Sequence, residues 1–153
     1  MLIEQRPSDD SEVSALVVDH QVELQARDGG PEGQAIIVDP AARYLVVVTG
    51  GSAVACGALL PVDVDAAEVT GLYVRPAYRG RGLGRRMLAA LEDLAAARGH
   101  RVVRFRETSG RWRESSRLYE SAGYRPIPSY GPSVHTQLSL CYEKLVIDPE
   151  AIA

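Results

Sequence analysis

The stretch Leu72–Ala97, "LYVRPAYRGRGLGRRMLAALEDLAAA", decides the fold. It opens as an apolar strand that Pro76 ends. It then runs through alternating arginine and glycine and continues as a helix from about Gly82, with Met87, Leu88, Leu91, Leu94 and Ala95 spaced along one face. Gly99 closes that helix. A loop that enters a helix leaves backbone N–H groups without partners, and together with the helix dipole they make a site for phosphate. Gly80, Gly82 and Gly84 let the backbone approach such a ligand with no Cβ in the way. Arg79, Arg81, Arg85 and Arg86 add charge-assisted contacts.

Two common phosphate loops do not fit. A dinucleotide fingerprint G-x-G-x-x-G begun at Gly80 needs glycine where Arg85 stands, and one begun at Gly82 fails as well. A nucleotide P-loop needs G-K-[ST], and this stretch has no lysine. The remaining pattern is [QR]-x-x-G-x-[GA], met by Arg79, Gly82 and Gly84.

Upstream, "MLIEQR" alternates as a first strand. A helix follows, with Ser8 and Asp9 as capping residues and Val13, Leu16, Val17, His20 and Leu24 on one face. "RDGGPEGQ" is a breaker loop. Two β-rich runs around Gly50-Gly51 form a hairpin, and "AEVTGLYVRP" is the next strand. Downstream, "HRVVRFRET" is a strand and "WRESSRLYESAG" a short helix with Ser115, Leu118, Tyr119 and Ala122 along one side. "YRPIPSYGPSVHTQ" is a Pro-rich loop and "LSLCYEKLVI" the last strand. The order is β-α-β-β-β-α-β-α-β, in which hairpins precede a right-handed parallel βαβ unit. The expected architecture is α/β: a mixed, largely antiparallel sheet of about six or seven strands with a central parallel pair and helices on both faces.

The 153 residues suit a single domain, 1–153, large enough to bury roughly 70% of the unfolded chain's surface. No apolar run approaches the ~18 residues of a membrane span, and the N-terminus lacks a hydrophobic signal region, so the protein is expected to be cytoplasmic, with no membrane partner. A net charge of −3 argues against a nucleic-acid partner. The arginines at 98, 101, 104, 106, 111, 113 and 117 cluster, which suits a local anionic ligand. Cys56 and Cys141 read as buried thiols. The isolated histidines His20, His100 and His135 and the lack of ligand spacing leave no metal site.

Taken together, "LYVRPAYRGRGLGRRML" and "LYESAGYRPI" resemble the two motifs of the GNAT superfamily of N-acetyltransferases, and the element order agrees over about residues 1 to 146. The resemblance implies an acetyl-CoA-dependent acyltransferase. The strand residues Leu72, Tyr73 and Val74 would bond the pantetheine arm as an added strand would. The pyrophosphate would sit on the backbone from Gly80 through Arg81, Gly82, Leu83 and Gly84 to Arg85, with Arg79 and Arg81 helping by charge. Backbone donors near Val74 would steady the oxyanion.

The resemblance also makes Tyr119 the candidate general acid for the leaving thiolate and Glu68, 11 residues before Arg79, the candidate base. Strict alternation would put Glu68, Thr70, Leu72 and Val74 on one face of their strand. One position departs from the family: Trp112 stands where an Asn that touches the pantetheine arm is common, and Ser115 or Ser116 could substitute.

The implied reaction is direct transfer of acetyl from acetyl-CoA to a primary amine of a small molecule or peptide. The alternative is a non-catalytic acyl-CoA-binding module of the same fold. The resemblance allows a homodimer. The acceptor would bind through "RDGGPEGQAIIVDPAAR" and "PIPSYGPSVHTQ", where Arg27, Asp28, Glu32 and His135 could face it.

Overall fold

The computed structural model describes residues 1–28, 37–107, 113–128 and 140–147. The loop residues Glu32 and His135, together with Trp112, lie outside the described residues, as do the side chains of Ser115 and Ser116. The chain runs β1 (Leu2–Arg6), α1 (Ser11–Asp28), β2 (Arg43–Thr49), β3 (Ser52–Pro61), β4 (Ala66–Val74), a 3-10 turn (Pro76–Tyr78), α2 (Leu83–Ala97), β5 (Val102–Glu107), α3 (Arg113–Ser121), β6 (Arg125–Ile127) and β7 (Leu140–Leu145). The strands form one sheet in the order β1-β2-β3-β4-β5-β7-β6, antiparallel except for the pair β4–β5. This is the expected mixed sheet with its central parallel pair.

Two features of the outer elements differ from expectation. The loop read as "YRPIPSYGPSVHTQ" holds a strand, β6, which pairs with β7 on the sheet edge. It is three residues long and contains Pro126, so it shows no alternation by which to recognise it. The cap of α1 is Asp10 rather than Ser8 or Asp9: its Oδ2 accepts from the backbone N–H of Glu12 and of Val13, both at 3.1 Å. Next to this cap, the Glu12 carboxylate accepts from Ala53 N at 2.7 Å, which ties the start of α1 to β3 and holds the Glu12 carboxyl below its usual range.

Gly50 and Gly51, at φ 60° and 79°, form the two-residue turn between β2 and β3. Alternation then sorts side chains between two layers. Tyr44 and Val46 of β2 pack with Cys56, Ala58 and Tyr73 beneath Val13, Leu16 and Val17 of α1. Leu45 and Val47 pack on the opposite face with Ala67, Val69 and Val103, beneath Met87, Leu88 and Leu91 of α2 and Tyr119 of α3. Helices therefore cover both faces. Cys56 and Cys141 are buried thiols, and burial pushes the Cys56 thiol up to about 12, so it stays protonated and inert.

Candidate active site

The site begins where the parallel pair ends. β4 pairs with β5 from Ala66↔Val102 to Val69↔Phe105 and no further, although β4 runs on to Val74 and β5 to Glu107. The two strands part at Val69 and Phe105. A bulge accompanies the parting: Gly57 of β3 faces two residues of β4, Gly71 and Leu72, between the pairs Cys56↔Tyr73 and Ala58↔Thr70. Gly71 takes φ +63°, which glycine adopts without strain.

The bulge changes which residues share a face. Ala67 and Val69 before it, and Leu72 and Val74 after it, all pack on the α2 side. Glu68 lies between Ala67 and Val69 and so points to the α1 side, as does Tyr73. The expected common face of Glu68, Thr70, Leu72 and Val74 is therefore incorrect. The extra residue at Gly71 resets the alternation.

Backbone directions follow from the same ladder. Arg75 N donates to Val54 O at 2.9 Å, so Arg75 and, two residues back, Tyr73 turn their N–H and C=O toward β3. Leu72 and Val74 turn theirs to the open side that β5 has left. Tyr73, expected to share in ligand bonding through its backbone, instead uses those groups inside the sheet.

The loop that follows is built for close approach. Gly80 and Gly82 have φ of 78° and 77°, and a Cβ at either would meet nothing within 4 Å. Gly82 is the N-cap of α2, which starts at Leu83, one residue later than expected, and no side chain caps it. The first helical backbone bond is Arg86 N to Gly82 O at 3.1 Å, so the N–H groups of Leu83, Gly84 and Arg85 point out of the helix end. Gly84 lies against α3, where an added Cβ would stand 3.7 Å from Leu118 Cδ2.

The loop arginines are largely engaged within the chain. Arg79 forms a fork on Glu23 of α1, with Nη1–Oε1 at 2.7 Å and Nη2–Oε2 at 2.5 Å, while its Nε donates to Val74 O at 2.9 Å. Arg75 pairs with Asp19, one helical turn before Glu23. Arg85 donates to the hydroxyl and carbonyl oxygens of Ser121 at 3.0 and 2.9 Å, which ties the start of α2 to the end of α3. Arg81 lies over the Tyr78 ring at 5.3 Å. Two arginines assigned to an anion-seeking cluster are also paired: Arg104 with Glu143 at 3.1 Å and Arg106 with Glu68.

Glu68 is buried, at 6% exposure. Its Oε1 accepts from Arg106 Nε at 2.5 Å and its Oε2 from Arg106 Nη2 at 3.3 Å. Tyr119 is also buried, and its ring stacks on Phe105 with centroids 3.7 Å apart and planes 8° from parallel. Phe105 is the last β5 residue paired with β4, so Tyr119 sits beside the point of parting on the α2 side. Glu68 sits beside the same point on the α1 side.

A family model described as "Acetyltransferase (GNAT) family" matches residues 10–124. The chain belongs to the GNAT acetyltransferase family. This acetyltransferase is 34% identical over 110 residues to an IAA acetyltransferase of Azospirillum brasilense, covering 71% of each chain. It is also 34% identical over 102 residues to a mycothiol acetyltransferase of Thermobispora bispora, covering 60% of this chain but only 31% of that longer protein. A crystal structure from Klebsiella pneumoniae, provisionally named an acyl-CoA N-acyltransferase, superposes with a TM-score of 0.78 at 26% identity, covering 95% of this chain and 97% of that one. The protein is an acyltransferase. Among the described residues, no helix is long and apolar enough to cross a membrane.

Several partners of site residues were not legible in the sequence. Asp19 and Glu23 repeat at i, i+4 on α1 and meet Arg75 and Arg79, which repeat at the same interval. That matched spacing is a signal, but only the fold says that the two segments face each other. Likewise, His20 stacks on Tyr73 at 4.9 Å, and Arg106 reaches Glu68 from the neighbouring strand.

Proposed function

We propose that this chain transfers the acetyl group of acetyl-CoA directly to a primary amine of a small molecule or peptide. The observation that carries this reading is the open side of β4 at Leu72 and Val74, leading directly into the glycine loop and uncapped start of α2. An extended amide-bearing arm can bond the strand edge while its pyrophosphate meets the helix end. The backbone N–H groups from Gly80 to Arg85 would hold that pyrophosphate, and the relatives' acetyltransferase names supply the acyl group.

The acceptor amine would approach from the α1 side, where Glu68 could take its proton directly or through water. The amine nitrogen bonds the acetyl carbon and the carbon–sulfur bond breaks. The Val74 N–H is available to the carbonyl oxygen while negative charge gathers on it. Tyr119, on the α2 side of the same gap, would give its phenolic proton to the departing thiolate. No covalent enzyme intermediate is needed, in keeping with the inert Cys56 thiol.

A coenzyme A release assay over a panel of amines tests the reading, with Glu68→Gln and Tyr119→Phe alongside the native chain. The expected result is amine-dependent thiol release that falls about 100-fold or more in either variant, the usual contribution of a positioned acid or base. Binding of acetyl-CoA with no turnover on any amine would instead support a non-catalytic acyl-CoA-binding module. Glu68→Gln also disturbs the Arg106 pair, so a thermal melt of each variant separates lost chemistry from lost fold.

A further inference from the structure

Arg79 is the first residue of the [QR]-x-x-G-x-[GA] pattern, and its charge suggests a direct hand on the pyrophosphate. Its geometry gives it a different task. Both terminal nitrogens are held by the two oxygens of Glu23, and the remaining Nε is on the carbonyl of Val74, the last residue of β4. One guanidinium thus joins three parts: helix α1, the end of the open strand and the start of the glycine loop. It also lies 5.6 Å from the Tyr73 ring, which stacks on His20 of α1. The Arg75–Asp19 pair repeats the link one helical turn earlier.

The Glu23–Arg79 pair is partly exposed, with side chains at 23% and 37%, so it contributes little to global stability. A planar fork on a carboxylate fixes direction more than it adds energy. What it fixes here is the path from Val74 to Gly80, and with it the angle at which the open strand edge meets the helix end. A ligand spanning both must find them correctly spaced, and a loop held beforehand spares the ligand the cost of ordering it.

We propose that Glu23 is a positioning residue for the acyl donor, holding through Arg79 the end of β4 and the glycine loop in the geometry that receives coenzyme A. This rests on the acetyl-CoA reading above. Arg79 then acts on the ligand through the backbone it orients.

Direct contact and positioning predict opposite results for one substitution. Glu23→Gln removes the carboxylate charge and one arm of the fork on Arg79, loosening its hold while the Nε bond to Val74 O remains. If Arg79 serves the pyrophosphate by charge, losing the competing Glu23 carboxylate leaves coenzyme A affinity unchanged or tighter. If Glu23 positions the loop, affinity weakens, by about fivefold, or roughly 1 kcal/mol. Arg79→Lys separates the two again, because lysine keeps the charge but cannot span two carboxylate oxygens and the Val74 carbonyl together.

The test is calorimetric titration of coenzyme A into the native chain, Glu23→Gln and Arg79→Lys, with thermal melts and steady-state kinetics on each. The expected result is a Kd weakened about fivefold in both variants, a melting temperature within about 2 °C of the native chain, and a loss that falls on KM for acetyl-CoA rather than on kcat. An unchanged or tighter Kd in Glu23→Gln overturns the positioning role, and so does full affinity in Arg79→Lys. No binding by the native chain overturns the acetyl-CoA reading itself and the positioning role with it.

Discussion

Val69 and Phe105 form the last parallel pair between the two central strands, and the candidate site is arranged around the point where they part. Tyr119 stacks on Phe105 on one side of the sheet, while Glu68, next to Val69, faces the other. The gap thus separates a candidate acid from a candidate base, with the Leu72 backbone and the Val74 N–H between them. A donor lying in the gap and an acceptor arriving from the α1 side would meet there.

The glycines of the loop should differ in their tolerance of a methyl group. Gly82→Ala forces a left-handed residue at the N-cap, costing roughly 1 kcal/mol and re-aiming the helix end. Coenzyme A affinity should fall by about tenfold, the equivalent of roughly 1.4 kcal/mol. Gly84→Ala adds a Cβ in ordinary contact with Leu118, and the motif admits alanine there, so near-native affinity is expected. Titration of both variants checks the contrast.

Gly57 sits opposite the bulge in a crowded place. A Cβ there would stand 2.9 Å from Leu91 Cδ1 and 3.2 Å from both Leu72 Cδ1 and Met87 Cγ. Leu91 and Met87 are fully buried, so any shift must be taken up inside the core. Gly57→Ala should cost about 1–3 kcal/mol in denaturant unfolding and push Leu72 off its position, raising KM for acetyl-CoA.

Arg106→Met should leave the Glu68 carboxylate buried without its fork. The expected cost is on the order of 3 kcal/mol, read by chemical denaturation. The double variant Arg106→Met with Glu68→Gln should recover part of that stability, because the charge that needed a partner is gone.

His20 gives the fold a pH dependence. Burial, aided by the nearby Arg79 cation and opposed by Glu23, lowers its pKa from 6.5 to about 4. Between those values the unfolded chain binds the proton and the folded chain does not, so the contribution is full above pH 6.5 and is lost as pH falls toward 4. The loss amounts to at most about 3 kcal/mol. Melting curves over that range should show a shallower decline in His20→Gln.

Much of this was legible in the sequence because the chemistry is local. The strand, glycine loop and helix of Leu72–Ala97 are contiguous, so composition and spacing suffice to read these elements and a candidate phosphate cradle there. The βαβ unit and the Gly50-Gly51 hairpin followed from turn chemistry and periodicity. What escaped was set by tertiary contact. Glycine at 71 gave no warning that it would reset the strand's alternation and turn Glu68 away from Leu72. The arginines at 79, 85, 104 and 106 read as free positive charge, yet each found a partner from a distant segment, at Glu23, Ser121, Glu143 and Glu68. β6 was too short to carry a pattern.

The most direct measurement is residue-resolved amide hydrogen exchange, with and without saturating coenzyme A. The amides of Leu72, Val74 and Leu83 through Arg85 should gain protection on binding. The Tyr73 amide, which already faces β3, should change little. Binding that leaves Leu72, Val74 and the loop amides unprotected, or that protects a different surface, would contradict this placement of the donor.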